Sequence, residues 1–481
     1  MKFTRIALAA AACCGFVATG AQAQGLRQPG SVQPVALTYD YYAQDNAAPS
    51  PSDLAAADSS DLTFVGDVSQ KDGKGCGCDA KGGGKGGKGG KGCSTGEPWR
   101  LFPTFGDGWT IEGYIAGGGT YNASNPVSNY NGPVTFNDRA NEMMLNQLYL
   151  SIGRDADNGG CGWAWGARAD VLYGQDYVFT QAVGLETNTD GTPSFNSSTS
   201  TFGLALPQIY GEVAYNDLSV KVGHFYTIMG YEGVKPTSNF FYSHAYTMQY
   251  GEPFTHTGAL ATYDYNCNWD FYAGLVNGWD TWDAVSDKLQ FLGGATYTPD
   301  SERYSLTGTF ISGEENGSLA PLPTTRRTGY SIVFDYDISC RLKYVFQHDN
   351  FWQSNDALNA GNDSEWYGIN QYLFYTVNDC WKLGARFEWF RDDDGVRLQG
   401  APVRELVSGT APVATPTFLN PAMSAGDYFN LTVGANWSPS SNLTIRPELR
   451  WDWSGNTVGQ PYNSGTKDSQ FLAAFDAIVL F

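Results

Sequence analysis

Side chains suited to covalent or metal chemistry are sparse in this chain of 481 residues, which has only 4 His. His224, His244, His256 and His348 lack metal-ligand spacing, and neither an HExxH motif nor a Gly-x-Ser-x-Gly elbow occurs. Asp155-Ala-Asp157-Asn-Gly159 starts as a calcium loop would, but Gly166 stands where the closing Glu is needed. No catalytic residue, metal site or cofactor is therefore expected. The sequence does place charge on alternate residues: Arg168 and Asp170; Lys382, Arg386 and Glu388; Arg446, Glu448, Arg450 and Asp452. Such rows act on ions rather than on bonds. Lining water, they orient dipolar solutes and select by charge.

The elements that carry these rows are strands. In 442–453, Leu443, Ile445, Pro447, Leu449, Trp451 and Trp453 take one face, with the charged residues opposite. Cys380–Arg391 and Trp163–Tyr173 repeat the pattern. Alternation alone gives only an all-β chain, since a soluble sandwich alternates too. Turn spacing decides more. Short turns at 154–161, 216–217, 264–267, 299–302, 337–340, 377–379 and 438–441 join seven hairpins, with a lone segment at 109–122 and another at 468–481. Loops on the other side are long, including 174–201, 228–255 and 392–426. Sixteen strands with short turns at one end predict a transmembrane antiparallel up-and-down β-barrel, wide enough for an aqueous channel. Aromatics near the long loops (Tyr173 and Tyr177, Phe225 and Tyr226, Trp279 and Trp282, Trp389 and Phe390, Trp451 and Trp453) fit a headgroup girdle. The last strand ends on Phe481, resembling the recognition signal of bacterial outer-membrane barrels.

Outside that rhythm lie the first hundred residues. Lys2 and Arg5, the apolar run Ile6–Gly20 and Ala21-Gln22-Ala23 form a signal peptide over 1–23. An irregular segment, 24–70, and a Lys/Gly/Cys-rich flexible linker, 71–100, precede the barrel at 101–481. The linker reads as a solvated spacer, or else as a periplasmic arm able to touch peptidoglycan or another anionic polymer. With 49 acidic against 29 basic residues the net charge is −20. That excludes a nucleic-acid partner, which requires a basic face. From residue 101 onward the charge is −21, so the barrel predicts cation preference unless the acids lie in outer loops, as the cluster Asp392-Asp393-Asp394 would.

The stretches NQLYLSIGRDADNGG, ADVLYGQDYVF, LALPQIYGEVAYNDLSVKVGHFYTIMGYE and NFFYSHAYTMQYGEPFTHTGALATY resemble the OmpL-like β-barrel porin family of planctomycete-type envelopes. The resemblance covers roughly 140–481 and implies an outer-membrane porin that passes ions and small hydrophilic solutes, set in lipid and without enzymatic activity. By analogy with general porins, a homotrimer is expected, and the loop 228–255 folds inward to narrow the pore. Its candidate constriction residues are Glu232, Lys235, His244 and Glu252, facing a basic wall of Lys382, Arg386, Arg446 and Arg450 across the lumen. The alternative is a structural or adhesive envelope barrel anchored through its N-terminal arm. Cys161, Cys267, Cys340 and Cys380 sit at short turns of strands that are not neighbours. Pairing with Cys76, Cys78 or Cys93 of the linker is the easier geometry.

Overall fold

Residues of one hydropathy class on every second position must face one side of a sheet, and here they do so around a full circle. The structure, a computed structural model, describes residues 98–188, 193–196, 201–283, 288–315, 325–356, 359–400, 425–455 and 460–481. The signal peptide, the 24–70 segment and Cys76, Cys78 and Cys93 lie outside these residues. The strands are β1 (Thr110–Asn122), β2 (Glu142–Arg154), β3 (Trp163–Gly174), β4 (Gly203–Tyr215), β5 (Leu218–Tyr226) and β6 (Thr255–Asn266). There follow β7 (Trp269–Val276), β8 (Gln290–Tyr297), β9 (Tyr304–Glu315), β10 (Thr325–Ser339) and β11 (Leu342–Asp356). The series ends with β12 (Asn362–Asn378), β13 (Trp381–Asp392), β14 (Gly426–Ser440), β15 (Leu443–Ser454) and β16 (Ser469–Leu480).

Each strand pairs antiparallel with its sequence neighbours, and β1 closes on β16 from Tyr114↔Leu480 to Asn122↔Leu472. Closure removes every sheet edge, the condition a sheet must meet to sit in hydrocarbon. The outer face is apolar and exposed, with Leu150, Val222, Leu275, Leu383, Leu449 and Phe475 among its residues. Such a surface is costly in water and natural in lipid. Pro207 interrupts β4 where the β3–β4 register shifts between Asp170 and Leu172, the place where a missing N–H does least harm.

Aromatics ring both ends of the barrel. Trp381 stacks on Trp437 and Trp163 packs on Tyr215 beside the short turns; Phe429 stacks on Trp453 near the long loops. The girdle is narrower than expected at the long-loop end. Tyr177, Phe225, Tyr226, Trp279 and Phe390 are buried and take no part in it, because loops and the lumen cover them.

Candidate functional site

Two long loops turn into the barrel. The β5–β6 loop, 227–254, is buried throughout apart from the half-exposed Ser238. It lies against the inner faces of β11–β16, and the grip is mainly on its backbone. Buried peptide groups need partners, and the wall charges supply them. Arg446 forks onto Asp476 at 2.8 and 2.6 Å while its Nη1 donates to Pro236 O at 2.8 Å and Asn239 O at 2.5 Å. The Arg386 Nη1 donates to Glu232 Oε1 at 2.6 Å and to Ser243 O at 2.8 Å. Arg450 is held by Asp452 at 2.7 Å and donates to His244 O at 2.5 Å.

The carboxylates take the other polarity. Glu448 accepts the Tyr242 and Ser243 N–H groups at 2.9 and 3.2 Å; Glu388 accepts those of Tyr246 and Thr247 at 2.8 and 2.6 Å. Tyr246 OH donates to Asp452 at 2.8 Å. This corrects the expectation of a basic wall facing the loop across water. Arg386, Arg446 and Arg450 are fully buried beneath the loop, because its main chain is where their donors find acceptors. Arg168 and Asp170 sit away from this grip: Arg168 holds Asp170 at 2.9 Å, and Tyr149 OH and Gln208 also donate to that carboxylate. Lys382, near the short turns, is half-buried opposite Asn436.

The loop's own titratable groups are inside the same packing. Burial would raise the Glu232 carboxyl, but Arg386 beside it, with His244 and the Ala245 N–H, prevails and holds it down at about 2. His244 lies 3.6 Å from Glu232 and against the Phe136 ring at 4.1 Å; burial pushes it below its usual range, against the pull of Glu232. The Lys235 ammonium sits 5.1 Å above the Tyr149 ring, near enough for a cation–π contact. Glu252 reaches β11, where Gln347 donates to it.

The second inward segment, the β1–β2 loop at 123–141, was not read from the sequence. Tyr130, Val134, Phe136 and Ala140 are buried, Tyr250 OH donates to Pro133 O, and Asn146 donates to Phe136 O at 3.1 Å. Its signal was the apolar spacing in NYNGPVTF, masked by turn residues. Three inward glycines, also unread, make room for the loop. A Cβ on Gly384 would lie 2.4 Å from Phe240, one on Gly368 2.4 Å from Thr247, and one on Gly434 3.3 Å from Phe241.

Near the short-turn end most of the inward charged residues are half-buried rather than packed under a loop. Asp264, Asp270, Asp335, Asp337 and Glu212 stand there with Lys221, Lys343 and Lys382; Lys343 pairs with Asp335 at 3.1 Å, and Glu212 lies opposite Lys221. Trp99 is tied there by reciprocal hydrogen bonds with Asn442, at 2.7 and 2.8 Å. Among the described residues no three His, Cys, Asp or Glu side chains are grouped to hold a metal ion. Cys340 and Cys380, on the β10–β11 and β12–β13 turns, are disulfide-bonded. Cys161 and Cys267 are exposed free thiols, on turns far apart around the rim, and so are not disulfide partners.

The family described as "Putative beta-barrel porin-2, OmpL-like" matches residues 108–481. Among solved structures, the chain is similar to the anion-selective porin from Comamonas acidovorans, with 11% identity over 78% of this chain and 99% of that one, at a TM-score of 0.50. It is also similar to the outer membrane channel DcaP of Acinetobacter baumannii (11% identity, 78% and 97% covered, TM-score 0.49). Pseudomonas putida OprB gives 12% identity, 78% and 94% coverage and a TM-score of 0.48. No curated protein matches the sequence.

Proposed function

The chain belongs to the OmpL-like β-barrel porin-2 family, and from that premise we propose that it is an outer-membrane porin, a water-filled channel for passive diffusion of ions and small hydrophilic solutes. The β5–β6 loop narrows the channel. The observation that carries this reading is the main-chain clamp: a loop held inside a barrel by three arginines and two glutamates is fixed in the path of solutes. A loop that merely capped the mouth would have no use for inward charges along β13 and β15.

The channel prefers cations. The wall arginines are spent on carbonyls and carboxylates of the barrel and loop, so they offer little field to a passing ion. Toward the short turns, Asp264 and Asp270 face the lumen with no Lys or Arg ion pair among the described residues. The bonds that tie Trp99 to Asn442 at the short-turn rim support an arm on the periplasmic side. Planar-bilayer recording of purified protein in asymmetric KCl tests conduction and preference together. Stepwise current with a cation-side reversal potential is expected, and Asp264→Asn with Asp270→Asn moves that potential toward zero. Protein that inserts as a heat-modifiable barrel but never gives steps overturns the channel.

A further inference from the structure

One contact of the loop with the wall differs in kind from the rest. Glu252, near the loop's downstream end, meets Asp349 of β11, and both are almost wholly buried. Their carboxyl groups lie within hydrogen-bonding reach of each other. The Gln347 amide N–H donates to both, at 3.0 Å to Asp349 Oδ2. Ser331 of β10 stands opposite Asp349 across the strand pair, and Asp349 Oδ1 has no hydrogen-bond partner. Nearby titratable groups are Glu232 from the loop and His348, which alternation turns to the opposite face of β11. No Lys or Arg among the described residues forms an ion pair with either acid. Elsewhere in the loop each wall carboxylate has an arginine or main-chain N–H groups beside it.

Two buried acids cannot both ionise at this distance. A proton between them gives Asp349 Oδ1 its missing partner. A metal ion would instead meet the Gln347 amide hydrogens that already point at both carboxylates.

We propose that Glu252 and Asp349 share one proton across the seam between loop and wall, and that this proton latches the downstream end of the β5–β6 loop. Loss of the proton to water leaves two carboxylates that repel, frees that end and widens the channel. The inference rests on the reading of the loop as the constriction. Burial and the neighbouring Asp349 push the Glu252 carboxyl well above its usual range. A raised acid holds its proton at low pH and surrenders it as pH rises, so the latch is closed in acid and opens in base. Above the titration, each pH unit shifts the ratio of latched to released loop about tenfold.

The test is single-channel conductance from about pH 5 to about pH 9, with wild type expected to rise. Glu252→Gln and Asp349→Asn keep a neutral hydrogen-bonding partner at the seam and stay at the low, pH-independent value. Gly230→Ala should be open at every pH, because its Cβ would lie 1.7 Å from Glu252 Oε2; heat-modifiable migration confirms that it folds. A flat wild-type profile, or a Glu252→Gln variant that keeps the wild-type response, overturns the latch. Amide hydrogen exchange over 228–253, compared at equal pH between wild type and Glu252→Gln, reads the latch without current. Absence of steps with a pH-dependent exchange difference would sink the channel and spare the latch; equal exchange at every pH would sink the latch itself.

Discussion

Arg386 serves two masters: its Nη1 reaches both the Glu232 carboxylate and the Ser243 carbonyl, while Asn430 and Thr432 hold the rest of the guanidinium. Removing one partner of a buried pair leaves the other uncompensated, at a cost of about 3–5 kcal/mol. Arg386→Ala is therefore expected to lower unfolding stability in detergent by about that much and to raise conductance by loosening the loop at Ser243. Arg446→Lys gives a different lesson. A lysine cannot fork onto Asp476 and still serve two carbonyls, so this change should also loosen the loop, though charge is kept. The pH sign at Glu232 is opposite to that at Glu252. Its carboxyl is lowered to about 2, so the stability it contributes is full above the ordinary Glu value and is lost as pH falls through about 2. Exchange of the Ala245 amide, which Glu232 accepts at 2.8 Å, should stay protected at about pH 4 and rise sharply only near pH 2.

At the scale of elements, the glycines inside the wall matter as much as the charges. Gly384 on β13 lies under Phe240. A valine there would drive the ring off the wall, an overpacking that typically costs about 1–3 kcal/mol. Gly384→Val is expected to fold as a barrel with its loop displaced, seen as faster exchange at Phe240 and Phe241 with the strands unchanged. The strands themselves were legible in the sequence because period two and turn residues are local signals: the segment read at 109–122 is β1, and the last turn at 438–441 abuts β15. The charge rows of β13 and β15 were legible as inward faces for the same reason. What they touch was not. Pairing of Arg446 with Asn239 spans 207 residues, and no spacing rule reports that. Nor does periodicity show that a turn-rich stretch such as 123–141 will enter the lumen, since its apolar residues follow neither period.

For the whole molecule, the cysteines give a check that is independent of current. Cys161 and Cys267 are exposed thiols and Cys340 and Cys380 are bonded. A maleimide applied to the folded protein should label the first two, and the last two only after reduction; labelling of Cys340 before reduction would contradict the structure. The charge of −20 also changes meaning once the fold is known. The lumen has two electrostatic storeys: acids and bases locked together under the loop, and a lower part where Asp264 and Asp270 stand without a paired base among the described residues. The clamp has one more consequence, in time rather than in space. The loop leaves the export machinery in the middle of the chain, but most of its paired carbonyls and N–H groups are met by β13 and β15, which arrive near the end, with β16 holding Arg446 in place. Contacts so distant in sequence form slowly. Until the C-terminal strands are delivered, the loop has few partners for its backbone, and β1 has no edge to close upon. Seating the constriction and sealing the wall thus await the same final stretch of chain, so a pore missing its last strands would lack its restriction as well as its closure.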